Sequence, residues 1–109
     1  MKFRLAKAQV LVGRYYRLAA QQNDPRGALG LGGLYVRGAG VPKDERQAAT
    51  LFRQASDAGS GAGALNLAVM YEAGRGVPRD LNQALFFYRQ AAAAGERGAE
   101  ADVARLSRQ

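Results

Sequence analysis

Residues 28–63 align with residues 64–99 without a gap, and 16 of the 36 paired positions are identical. A self-similarity of this length restricts the fold more than any other feature of the chain. Units of this size are supersecondary pieces that cannot bury their apolar face alone and stack on their neighbours to do so. The matched landmarks include Ala28/Ala64, Leu31/Leu67, Tyr35/Tyr71, Gly38/Gly74, Gly40/Gly76, Pro42/Pro78, Asp44/Asp80, Ala48/Ala84, Ala55/Ala91 and Gly59/Gly95.

Within each unit the punctuation is that of two helices. Gly38 and Gly74 follow an apolar helical stretch, where a left-handed C-terminal cap belongs. Val-Pro then extends the chain, and Asp44 before Gln47, like Asp80 before Gln83, has the spacing of a capping box. The second helix carries Ala48, Leu51, Phe52 and Ala55, repeated as Ala84, Phe87, Tyr88 and Ala91, at the three-to-four spacing of one buried face. The first helix begins at Asp24-Pro25 and, in the next copy, at Ser60. Continuing the register backwards puts Val12, Tyr16 and Ala19 in the positions of Ala48, Phe52 and Ala55. Continuing it forwards makes Ala99 to Leu106 the opening of another first helix. The expectation is an all-α chain of about six helices: 3–21, 25–37, 44–58, 61–73, 80–94 and 97–107. Its 109 residues read as one repeat domain, with an N-terminal half-repeat over 1–27, repeats over 28–63 and 64–99, and a partial repeat over 100–109. Gly30 and Gly33 each cost roughly 1 kcal/mol relative to Ala, so helix 25–37 is expected to be the weakest.

The chain has no Cys and no His. Disulfides, thiolate chemistry and cysteine-ligated zinc are excluded, and the usual general base and transition-metal ligand are missing. The reading is of a protein that is not an enzyme and needs no cofactor or metal. A net charge of +7, from thirteen Arg and three Lys, favours acidic partners. No apolar run has the length of a membrane span. The start Met1-Lys2-Phe3-Arg4 is basic, but the apolar stretch after it is short and runs into Arg14 without a cleavage site, so no signal peptide is read and the cytoplasm is the default expectation. Gly-x-Gly-Val-Pro occurs twice but lacks the Lys-Ser/Thr of a phosphate loop and follows no strand, so it reads as cap plus turn. Asp44 and Asp80 recur as caps do. Glu72, Glu96, Glu100 and Asp102 sit among arginines and read as a solvated charged face.

The pattern from Ala28 to Gly59, Ala-Leu-x-Leu-Gly-x-x-Tyr-x-x-Gly-x-Gly-Val-Pro-x-Asp-x-x-x-Ala-x-x-x-Phe-x-x-Ala-x-x-x-Gly, with its second copy from Ala64 to Gly95, resembles the Sel-one-like repeat (SLR) family, relatives of the tetratricopeptide repeat. The likeness covers residues 28–99. The second copy departs from it at Ala68, where the family usually has Gly. The resemblance implies a right-handed α-solenoid of antiparallel helix pairs, typically bacterial when the chain is short, whose first helices line a concave surface. It also implies an adaptor or scaffold for protein partners, of which a toxin-neutralising or regulatory binder is a subtype.

By analogy with tetratricopeptide first helices, the concave positions are Arg26, Leu29, Gly33, Val36 and Arg37, then Ala62, Leu65, Val69, Glu72 and Ala73, with Ala101, Arg105 and Arg108 from the last helix. Such a groove has an apolar floor and arginine rims, suited to an acidic or extended segment because guanidinium forks bind carboxylates in pairs. The alternative for those arginines is plain solvation. Leu11, Tyr15 and Leu18 form a separate apolar stripe on the N-terminal helix, a candidate for self-association into a homodimer or for burial against helix 25–37. The reading that competes with protein binding is a basic polyanion or nucleic-acid binder, since Tyr15, Tyr16 and Tyr88 lie beside Arg14, Arg17 and Arg89. Tyr16 and Tyr88 fall on the buried repeat face, which makes nucleic acid the less favoured partner.

Overall fold

A computed structural model describes residues 2–108, with side chains from Lys7 onward. They form six helices and no strand: α1 (Lys2–Gln21), α2 (Pro25–Arg37), α3 (Glu45–Asp57), α4 (Gly61–Ala73), α5 (Leu81–Ala93) and α6 (Ala99–Ser107). Each helix packs on the next in sequence, and α2 also touches α4. The result is an elongated body of 49 × 24 × 21 Å, the shape of a one-dimensional stack.

The helix ends are set by the residues that the repeat singled out. Asp24 accepts from the Arg26 amide at 2.9 Å, and Ser60 accepts from the Gly63 amide at 3.0 Å. Asp44 accepts from the Gln47 amide at 3.1 Å, and Asp80 from those of Asn82 and Gln83 at 3.0 and 3.1 Å. The capping boxes are only half made. The amides of Asp44 and Asp80 donate to the carbonyls of Tyr35 and Tyr71, both at 3.0 Å, so the preceding helix takes the bond expected from a glutamine side chain. α6 begins at Ala99 rather than at 97, because Gly98 takes a left-handed conformation (φ 83°) and supplies no capping side chain.

The second glycine of each Gly-x-Gly turn has a double reason. Gly40 and Gly76 have φ of 77° and 73°, and a Cβ at Gly76 would sit 2.2 Å from the Glu45 carbonyl oxygen, while one at Gly40 would lie 2.7 Å from the Gln9 carbonyl carbon. Each turn thus lies directly on the backbone of the preceding second-type helix, where only glycine fits. Two apolar clusters fill the stack. Ala28, Leu31, Leu34, Leu51 and Ala55 join α2 to α3, with Ala20 from α1, and a larger group around Leu67, Phe87, Tyr88 and Ala91 runs from α3 to α6. Tyr35 and Tyr71 are half-buried between helix pairs, their hydroxyls accepting from Arg17 at 3.2 Å and from Arg53.

Candidate protein-binding groove

Four positions of the repeat decide what the face formed by the first helices can hold. In the interval between α2 and α4 they are Val36, Phe52, Asn66 and Val69. One period later, between α4 and α6, they are Glu72, Tyr88, Asp102 and Arg105.

The first interval is open. Gly33, Val36 and Arg37 of α2 face Asn66, Val69 and Met70 of α4 across a cavity of about 250 Å³, with Phe52 of α3 as its floor and Arg75 at its edge. Phe52 and Met70 are buried core residues that show one surface here, whereas Val69 keeps 45% of its surface exposed. Gly33 is what leaves room, since the equivalent positions hold Val69 and Arg105. The Arg37 guanidinium folds towards the vacancy, its Nη1 lying 3.4 Å from where a Gly33 Cβ would be. Among the described residues no acidic side chain lines the cavity. Arg75 is tied by its Nε to Glu45 Oε2 at 2.6 Å, so Arg37 is the cation on that rim for which no ion pair is formed among the described residues.

The second interval is closed by the chain's own charges. Glu72 accepts from the Tyr88 hydroxyl at 2.8 Å, and the two Nη atoms of Arg105 grip both carboxylate oxygens, one at 2.9 Å. Arg105 also donates to Asp102 at 3.0 Å. The Arg105 hydrogen bonds, more than any other influence, hold the Glu72 carboxyl down at about 2, with Tyr88 adding to the effect against the opposing cost of burial. Burial first, and then the anionic Glu72, push the Tyr88 phenol up, and Arg105 is raised by its two carboxylate partners. The solvated charged face expected at Glu72 is therefore a half-buried clasp. A carboxylate held ionised, with donors on both oxygens, is a poor proton acceptor, and its arginine already holds two carboxylates.

Of the remaining sequence candidates, Arg26 and Leu29 share a separate hollow with Tyr15, and Leu65 and Arg108 stand apart. Arg26 is exposed at the start of α2 and paired with Asp24 at 3.0 Å, which lowers the aspartate's pKa and raises the arginine's. Leu29 is half-buried and borders a separate hollow with Tyr15, Tyr16 and Gly30. Leu65 is half-buried against the larger core cluster, and Arg108 is exposed at the end of α6. The structure thus brings Val36, Arg37 and Val69 together, joins Glu72 to Arg105, and leaves Arg26, Leu29, Leu65 and Arg108 outside both groups. Sequence reasoning missed Asn66, Met70, Phe52 and Arg75 around the cavity, and Tyr88 and Asp102 in the clasp. Reading down the 36-residue register from Val36 to Glu72 and from Val69 to Arg105 was the signal that could have found them.

On α1, Leu11, Tyr15 and Leu18 are 59%, 70% and 60% exposed, and Val12 is 43% exposed. Burial against α2, the bland expectation for this stripe, does not occur. No described helix is long and apolar enough to cross a membrane.

The Sel1 repeat family model matches residues 13–24, 25–60 and 61–96, the same 36-residue period phased three residues earlier than the alignment above. Among solved structures, a Sel1 repeat protein from Oxalobacter formigenes superimposes with a TM-score of 0.84 at 26% identity, over 86% of this chain and 39% of that one. Cysteine rich protein B of Helicobacter pylori gives 0.80 at 26% identity, over 90% of this chain and 88% of that one. A protective antigen of uropathogenic Escherichia coli strains, displaying an SLR fold, gives 0.75 at 31% identity, over 87% of this chain and 24% of that one. The chain therefore spans about two-fifths of the Oxalobacter protein and about a quarter of the E. coli antigen. No curated protein matches the sequence.

Proposed function

The chain belongs to the Sel1 repeat family, and from that premise we propose that it is a scaffold that holds an extended, acidic segment of a partner protein in the groove between α2 and α4. Members of the family serve generally as protein-interaction scaffolds and are typically non-catalytic. The observation that carries the finer reading is the open cavity of about 250 Å³ with an apolar floor, no acidic lining and Arg37 on its rim. A pocket at or below the small end of the roughly 300–1,000 Å³ range of small-molecule sites suits one side chain of a longer ligand better than a cofactor.

The test begins with crosslinking in the native cell and identification of the captured protein. Purified partner should then lose affinity for Arg37→Glu and Val69→Asp variants whose thermal melts are unchanged, and full affinity in both would sink the groove reading. Salt separates this mode from the polyanion alternative, since phosphate-driven binding falls by orders of magnitude between about 50 and 200 mM.

Self-association is a second reading, favoured by the exposed Leu11, Tyr15 and Leu18. Contiguous apolar surface of this kind commonly marks an interface. A concentration-dependent mass in light scattering, abolished by Tyr15→Glu, is the expected result. A monomer at every concentration would dismiss it.

A further inference from the structure

Resting on the groove reading, we infer that the partner seats one branched aliphatic or phenyl side chain between α2 and α4, beside a carboxylate held by Arg37, while the α4/α6 interval receives no partner residue. The protein supplies its own template for this difference. At the positions where α4 and α6 present Glu72 and Arg105, α2 and α4 present Val36 and Val69. Tyr88 uses its hydroxyl to bind Glu72, and Phe52, its equivalent, has none to offer. In the second interval a carboxylate of the chain therefore lies between the helices with every oxygen partnered. A guest side chain there would have to expel Glu72 from Arg105 and leave a half-buried carboxylate short of donors, which is costly.

In the first interval Val36, Phe52, Val69 and Met70 line the cavity beside the polar Asn66, Arg37 and Arg75, so an apolar guest gains with each methylene it buries against the four apolar side chains. The size is right for one such group. Roughly 150 Å³ suffices to hold benzene, and the cavity offers about 250 Å³ with one side open. Asn66 is the lining residue with an amide able to bond a guest's backbone, and Arg37 gives the guest's acidic neighbour a cation that no ion pair of the described residues already neutralises.

Two-dimensional NMR titration with N-acetyl-leucyl-aspartate tests this on the intact chain. Shifts should concentrate on Val36, Phe52, Val69 and Met70, with N-acetyl-alanyl-aspartate and N-acetyl-leucyl-lysine each binding roughly tenfold more weakly. Gly33→Leu should fill the cavity from α2 and abolish binding while raising the melting temperature, because a helix-interior glycine is removed; loss of the site is then not loss of the fold. Arg105→Gln should leave the affinity unchanged. Shifts centred on α6, or undiminished affinity in Gly33→Leu, would overturn the inference. If acidic dipeptides bind this groove equally with leucine or alanine, the groove reading stands and the anchor falls; if the dipeptides perturb neither α2 nor α4, both fall.

Discussion

Val36, Phe52, Asn66 and Val69 occupy the same places in the repeat as Glu72, Tyr88, Asp102 and Arg105, on helices of the same type, yet one set surrounds a gap and the other closes it. The second-type helix under each interval is alike. Phe52 and Tyr88 are both buried, and the caps before them, Asp44 and Asp80, bond their helix ends alike. What differs is the glycine at position 33, where later copies carry Val69 and Arg105, and the chemistry at a few side-chain ends. A hydroxyl, a carboxylate and a guanidinium complete one another in the second interval, and two valines cannot do the same in the first. A repeat frame thus lets neighbouring intervals diverge into a structural clasp and an open groove without any change of fold.

The contrast can be broken most forcefully at the floor of the open interval. Phe52→Ala should cost about 3–5 kcal/mol, because it removes a core ring as well as the cavity wall. Against a total of about 5–15 kcal/mol for a folded domain, this brings the melting transition down steeply, and an unchanged melt would show that Phe52 does not join the two halves.

Next in size is the contrast between two neighbouring glycines. A Cβ at Gly30 would lie 2.5 Å from the Tyr16 ring, so Gly30→Ala must displace that ring at about 1–3 kcal/mol despite the better helix former. A denaturant midpoint that rises instead would mean that Tyr16 is free to move aside.

The clasp itself should yield smaller effects. Tyr88→Phe makes position 88 the same residue as position 52 and removes one hydrogen bond, at about 1 kcal/mol. Acid probes the same bond. Glu72 is held at about 2 against an ordinary 4.5, so its contribution is complete above pH 4.5 and disappears as the pH falls towards 2. Screening at the half-exposed arginine limits this to about 1 kcal/mol. Acid denaturation followed by circular dichroism should lose this component in Glu72→Val, the variant that copies Val36. An identical acid limb in both proteins would remove the clasp from the stability account.

The smallest change expected is a gain. Gly33 faces only the movable end of Arg37 at 3.4 Å, so Gly33→Ala should stabilise α2 by about 0.5–1 kcal/mol. If it destabilises instead, Gly33 has a packing role as Gly30 does.

The helices were legible because caps and glycine stops act locally: Asp24, Ser60, Gly38 and Gly74 stand at their ends as the sequence predicts. The capping boxes at Asp44 and Asp80 were only half legible, since the competing acceptors, the carbonyls of Tyr35 and Tyr71, lie on the preceding helix. The penalty assigned to Gly30 treated the residue as exposed helix, whereas its missing side chain is what admits Tyr16. Arg37 and Arg105 looked alike in sequence, two arginines on the same type of helix. Only Arg105 has a carboxylate within reach across the gap to α4.

Periodicity by itself determined that this chain is a stack of helix pairs, where each helix begins and ends to within a residue or two, and which face of α3 and of α5 is buried; on α1 the register put Val12 on the buried face, where it is 43% exposed. Those properties depend on interactions within one or two turns, or on a repeat that copies them. Which interval is open, and which arginine is already engaged, was decided by tertiary structure alone. A bond from Glu72 to Arg105 spans 33 residues and exists only because stacking brings α4 and α6 side by side.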